Sequence, residues 1–243
     1  MSSPPALVVV PTYNERENLP LLVAGLMQHA NVRLMIVDDE SPDGTGELAE
    51  TLARAHAGRI EVMHRRGTRG LGRSYVDGIC KALGERVDLI CQMDADLSHD
   101  PAHLPQLIAA SAHADVVIGS RYVAGGRIVN WPLRRRLLSR FANAYIRTVT
   151  RLAARDCTSG YRCWRRDSLA SLPLDRFVSD GYSFLVEMLY AAARRGCRIG
   201  EVPITFVERR QGESKLSRAV LVESAITPWR LVATRGSFER VAG

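Results

Sequence analysis

Leu89-Ile90-Cys91-Gln92-Met93-Asp94-Ala95-Asp96 is the stretch that decides the fold. An apolar run of this length, preceded by Asp88, reads as a buried central strand. Two carboxylates follow at its C-terminal end, the edge at which open α/β sheets bind ligands. Held one residue apart, they repel each other unless a cation lies between them. Hard divalent ions such as Mg²⁺ take one or two carboxylates and complete their shell with substrate phosphate oxygens. A plainer alternative has Asp96 capping a following helix and Asp94 solvated in a loop. The tripeptide alone leaves both open.

Outward from this stretch, short β-rich runs alternate with helical patterns over the first 120 residues. Leu7–Val10, Leu34–Val37, Ile60–Met63 and Val116–Ile118 read as further strands. Helices are expected at about Arg16–His29, Glu47–His56, Leu71–Leu83 and Ala102–Ser111, the last with Pro101 in its first turn. This alternation predicts an α/β fold: a Rossmann-like, mostly parallel sheet with helices on both faces. Beyond Ser120 a loop rich in Gly, Pro and Arg leads into a basic helix, about Pro132–Leu152. Residues 157–181 read as irregular with short elements, followed by a helix Tyr182–Arg195, an extended run Arg198–Val207, a polar loop 208–217 and a last helix. No linker or repeat divides the chain. It reads as a single domain over 1–243, with a nucleotide-sugar half at about 6–120 and acceptor-side elaborations at about 121–235, including amphipathic C-terminal helices.

Composition narrows the partners. The 243 residues carry 33 Lys and Arg against 26 Asp and Glu, a formal +7, which suits an anionic partner. Only Lys81 and Lys215 are lysines. Five cysteines without a Cys-x-x-Cys signal neither a disulfide framework nor a zinc site and point to a reducing compartment. No secretory leader and no apolar stretch approaching a membrane span is expected. The basic residues are dispersed and match no nucleic-acid-binding signature, so no nucleic-acid partner is expected.

Three further segments carry chemistry. Pro11-Thr12-Tyr13-Asn14-Glu15 leaves the first strand at a proline, which places Tyr13 and Glu15 in the ligand crevice, where a ring stacks on a base and a carboxylate meets its N–H groups. The same segment also suits a helix N-terminus capped by Asn14. Val37-Asp38-Asp39 ends the second strand; an acid there commonly holds ribose, which points to Asp39. Asp38 is expected to brace the loop, with Ser41, Asp43 and Thr45 capping the next helix. Gly67-Thr68-Arg69-Gly70-Leu71-Gly72 lacks the Lys-Ser/Thr of a phosphate loop and reads as a flexible turn before a helix.

Taken in order, these segments with Met93–His99, Gly119–Tyr122, Ser159–Arg162, Gly200–Ile204, Phe206–Arg209 and Gly212–Leu216 resemble the family 2 glycosyltransferases of GT-A fold. The likeness is greatest to the dolichol-phosphate mannosyltransferase (polyprenol monophosphomannose synthase) group and covers roughly residues 6–235. The resemblance implies transfer of mannose from GDP-mannose to a dolichyl or polyprenyl phosphate with inversion, dependent on Mg²⁺ or Mn²⁺; the alternative is a UDP-sugar donor such as UDP-glucose. It implies donor contacts at Pro11, Tyr13, Glu15, Val37, Asp39, Asp94, Ala95, Arg121, Arg209 and Lys215. Asp94 and Asp96 would hold the metal, and Asp94, Asp96 and Arg121 the reacting groups. Arg121, Arg135 and Ser139 match acceptor-phosphate positions. Ser98 stands where some relatives carry a metal-assisting Gln, which leaves the preferred metal open. Many relatives also carry C-terminal membrane helices. Here the expectation is a cytoplasmic protein, peripheral on a membrane through the basic helix and the last helix, or held there by a separate anchoring subunit.

Overall fold

The computed structural model describes residues 4–179, 181–208 and 218–238. The chain runs β1 (Ala6–Thr12), α1 (Leu19–Leu26), β2 (Val32–Asp38), α2 (Thr45–Ala55), β3 (Ile60–His64), α3 (Leu71–Leu83), β4 (Leu89–Gln92), α4 (Leu104–Ala110) and β5 (Val116–Ser120). It continues through β6 (Arg127–Val129), α5 (Leu133–Thr150), β7 (Arg162–Arg165), α6 (Arg166–Ala170), α7 (Gly181–Arg194), β8 (Ile199–Pro203), β9 (Thr205–Val207) and α8 (Arg218–Ala233). One seven-stranded sheet has the order β3-β2-β1-β4-β7-β5-β8, and β6 pairs with β9 in a small second sheet.

All pairings in the large sheet are parallel except those of β7, which is antiparallel to both β4 and β5. The elements expected before Ser120 are present with boundaries shifted by a few residues at most. The stretch 157–181 carries the short elements expected, but one of them, β7, lies in the middle of the sheet. Strand β6 likewise falls where a loop was expected.

β1 is buried along its whole length because it is paired on both sides and covered on both faces. Its side chains alternate. Leu7 and Val9 enter one core with α3, α7 and α8; Ala6, Val8 and Val10 enter the other with α1 and α4. Gly78 lets α3 sit directly on the sheet: a Cβ there would lie 2.6 Å from Val9 Cγ1 and 2.8 Å from Val37 Cγ2. Ala at 78 would overpack this contact at about 1–3 kcal/mol. Val37, expected beside the donor base, has its side chain fully buried in this core.

Candidate active site

Parallel pairing brings the C-terminal ends of β1, β2, β4 and β5 to one edge of the sheet. Because β7 runs the other way, its N-terminal approach, Ser159-Gly160-Tyr161, arrives at that same edge. There Asp94 and Asp96 sit with Ser98, His99, Arg121 and Gly160 in the lining of one pocket.

The acids are positioned from several sides. Asp94 Oδ1 accepts from the Tyr75 hydroxyl of α3 at 3.0 Å, and Oδ2 lies 3.6 Å from His99 Nδ1. Burial, reinforced by the Asp94 charge, raises the Tyr75 phenol well above its usual range, so it stays a donor. His99 is almost fully buried, which pushes its imidazole toward the neutral form. Asp96 Oδ1 accepts from the Ser98 amide at 3.0 Å and the Ser98 hydroxyl at 2.6 Å. The helix-cap alternative for Asp96 does not hold, because the cap of the turn Pro101–His103 is Asp100, which accepts from the Ala102 amide at 2.9 Å. A Cβ at Gly160 would stand 3.1 Å from both Asp94 carboxylate oxygens, so glycine keeps the space before this acid clear. Among the described residues, no group of three or more His, Cys, Asp or Glu side chains could enclose a metal alone. Two acids facing an open pocket fit an ion that draws its remaining ligands from phosphate oxygens and water. Ala95, between them, is buried core.

Toward β1 and β2, Tyr13 accepts from Arg69 Nη1 at 2.7 Å, with the Arg69 guanidinium 4.7 Å from its ring centroid. Glu15 accepts from Asn18 Nδ2 at 2.7 Å, and its amide donates to Thr45 Oγ1 at 3.0 Å. Pro11 is buried at the end of β1. Asp38 braces its loop by accepting from Thr12 and Ser41, as expected; Asp43 accepts from the Thr45 amide and hydroxyl, while the N-cap of α2 itself is Gly44. Asp39 is buried, paired with the buried Arg65, and accepts from the Gly70 amide at 3.0 Å. Arg65 also bonds Asp77 at 2.7 Å. The turn before α3 thus ties the loops after β1 and β2 together through Arg65 and Arg69, neither of which the sequence reading singled out.

Toward β5 and α5, Arg121 is buried, and its Nε and Nη2 meet Asp156 Oδ2 and Oδ1 at 2.7 and 2.6 Å. Asp156 was also missed, since no local pattern marks it. Arg135 donates to Glu208 at 2.7 Å, its guanidinium 4.1 Å from the centroid of Trp131. Ser139 accepts from the Tyr122 hydroxyl at 2.7 Å. The pocket lining brings Arg121, Arg135 and Ser139 together with the two acids and continues past Leu138, Ala142, Tyr145, Ile146, Val186 and Pro228. It is therefore an apolar groove between α5, α7 and α8 with charged groups at its inner end. Arg209 and Lys215 lie outside the described residues. Among the described residues no helix is long and apolar enough to cross a membrane.

The description of one protein family, glycosyl transferase family 2, matches residues 7–172. A polyprenol monophosphomannose synthase of Mycolicibacterium smegmatis is 45% identical over 242 residues, covering 98% of this chain and 90% of that protein. An undecaprenyl-phosphate mannosyltransferase of Micrococcus luteus is 45% identical over 230 residues, covering 93% of this chain and 94% of its own. A solved structure of glucosyl-3-phosphoglycerate synthase from Mycobacterium tuberculosis, with Mn²⁺, UDP and its product bound, shares the fold at a TM-score of 0.64 and 19% identity, covering 99% of this chain and 82% of that one. With the sheet order, the paired acids and these likenesses in agreement, the chain belongs to glycosyl transferase family 2 and is a glycosyltransferase of GT-A fold.

Proposed function

We propose that the enzyme transfers mannose from GDP-mannose to a polyprenyl phosphate with inversion. The observation that carries this reading is the single groove that starts at Asp94 and Asp96, passes Arg121, Arg135 and Ser139, and becomes apolar between α5 and α8. A phosphate with a long hydrocarbon tail matches such a groove. Both curated relatives bear names of enzymes that act on polyprenyl phosphates or their mannose derivatives.

Tyr13, Glu15 and Asp39 face the nucleoside, with Pro11 and the backbones of Val37 and Ala95 shaping its seat. Asp94 and Asp96 would hold Mg²⁺ or Mn²⁺; the related fold binds Mn²⁺. Such an ion, when bound, neutralises charge on the departing diphosphate. Tyr75 fixes Asp94 and Ser98 fixes Asp96, so both acids are held in place before donor arrives. Arg209 and Lys215 complete the cationic surroundings of the diphosphate in this reading. The acceptor phosphate, whose second pKa is about 6, is already anionic near neutral pH and needs no general base. Its oxygen attacks the anomeric carbon opposite the diphosphate; the bond from that carbon to the diphosphate oxygen breaks, and the electron pair leaves with the diphosphate. Arg121 and Arg135 orient the nucleophile.

The outer face of α5 and α8 supports attachment to a membrane surface from the cytoplasmic side. Leu133, Leu137 and Phe141 on α5 and Val222, Ile226 and Trp229 on α8 are all more than half exposed, beside exposed Arg134, Arg136 and Arg140. Flotation of the chain alone with anionic and neutral vesicles tests this, and binding without another protein shows that no anchoring subunit is required.

The deciding assay offers radiolabelled GDP-mannose and UDP-glucose with polyprenyl phosphate, with and without Mg²⁺ or Mn²⁺. Lipid-phase label from GDP-mannose that disappears in EDTA and in Asp96→Ala is expected. Label only from the uridine donor overturns the mannose assignment, and label persisting in EDTA overturns the metal.

A further inference from the structure

The two arginines of the groove are held in different ways. Arg121 gives Nε and Nη2 to both oxygens of a fully buried carboxylate, Asp156. Arg135 gives a single Nη1–H to Glu208 Oε1 at 2.7 Å. Its Nε and Nη2 have no hydrogen-bond partner among the described residues, so one edge of the guanidinium fork is open. The ring of Trp131 supports its face, and Ser139 lies one helical turn further along α5. The Arg135–Glu208 side chains are 21% and 36% exposed, a setting in which an ion pair contributes little. Glu208 is tethered where it stands: its amide donates to Val129 O at 3.2 Å, at the end of the β6–β9 pair.

We infer that Glu208 is an internal stand-in for the acceptor phosphate, a carboxylate that Arg135 exchanges for the incoming phosphate monoester and recovers when product leaves. This rests on the polyprenyl-phosphate reading above. A phosphate monoester carries about −1.5 to −2 charge near pH 7 and three acceptor oxygens. It can use the open Nε/Nη2 edge bidentately as well as replace the single bond to Glu208. A carboxylate with one charge and one bond loses that competition. Transfer converts the monoester into a phosphodiester with one charge and fewer free oxygens, and the tethered carboxylate, at high local concentration, then competes on closer terms. Glu208 therefore lowers affinity for both acceptor and product, and its consequence is prompt product release.

The test is equilibrium binding of a short, water-soluble isoprenyl monophosphate, with the matching isoprenyl alcohol as control, to the full chain and to Glu208→Gln and Arg135→Gln. The wild type should bind the phosphate and not the alcohol. Glu208→Gln should bind it about two- to five-fold tighter, the reverse of what loss of a supporting contact gives. Arg135→Gln should bind it about ten-fold weaker or worse. In turnover, Glu208→Gln should lower the acceptor KM and the product inhibition constant by similar factors. Binding by Glu208→Gln equal to or weaker than wild type overturns the exchange and leaves the acceptor assignment standing. Absence of phosphate-dependent binding in the wild type overturns the acceptor assignment and the exchange with it.

Discussion

Replacing Asp156 with Asn isolates the charge that holds Arg121. The two side chains are 0% and 5% exposed, and Asp156 also accepts from the Arg121 amide at 2.9 Å. Burial alone would raise the Asp156 pKa; the Arg121 guanidinium overcomes it and holds the carboxyl below its ordinary value of 3.8. Asn keeps the volume, removes the charge and turns a donor toward the guanidinium. Leaving a buried cation without its partner costs about 3–5 kcal/mol. For a chain of this size, each kcal/mol corresponds to about 2–4 °C, so Tm should fall by roughly 6–20 °C. Urea unfolding and thermal melts near neutral pH read both quantities. The sign with pH is fixed by linkage. With the folded pKa below the unfolded one, the stabilisation is complete above the unfolded value and is lost as pH falls through the folded value. The gap between wild type and variant should thus hold from about pH 8 to about pH 5 and narrow below about pH 4. A variant within about 1 kcal/mol of wild type near pH 7 would refute this account of Arg121.

Three further substitutions probe the site. Ser98→Ala removes the hydroxyl that donates to Asp96 at 2.6 Å, and the Mg²⁺ or Mn²⁺ concentration for half-maximal activity should rise about ten-fold or more with Tm little changed. Gly160→Ala sets a methyl 3.1 Å from both Asp94 oxygens; kcat/KM should fall about ten-fold or more, read by steady-state kinetics with a circular-dichroism check of fold. Arg69→Ala takes away the hydrogen bond and stacked cation on Tyr13, so the donor KM should rise about five-fold while the acceptor KM stays put.

The parallel part of the fold was legible because its strands are continuous apolar runs and its ligand-binding ends carry Pro, Asp and Glu in sequence contexts that no buried strand would tolerate. β7 was not. Its four residues, Arg162-Cys163-Trp164-Arg165, begin and end in arginine, which argues against a central strand. The structure resolves the contradiction for Arg162, which is fully buried yet donates to the carbonyls of Ser159, Leu185 and Cys157 at 2.9, 2.7 and 2.9 Å. Burial lowers its pKa to about 10 without neutralising it near pH 7. Three backbone carbonyls gathered from two segments leave no trace in the residue letters. The same holds for Arg65 and Asp156, whose partners lie 26 and 35 residues away in sequence, to Asp39 and Arg121. Asp94 and Asp96, by contrast, owe their place to the strand directly before them, and so were readable.

The insertion of β7 between β4 and β5 also dictates the order in which the molecule can assemble. A nascent chain that has reached Ser120 holds β1 to β5, yet β4 and β5 cannot pair, because neither is the other's neighbour. Until residues 162–165 emerge, each leaves an apolar edge of open backbone N–H and C=O groups, a surface prone to mispairing between chains. Entry of β7 is then a long-range event that joins β4 to β5 and seats Gly160 beside Asp94 in the same movement. Synthesis that stops at the end of β5 should give a sticky, incompletely folded fragment, and the catalytic edge comes into being only once β7 has entered the sheet.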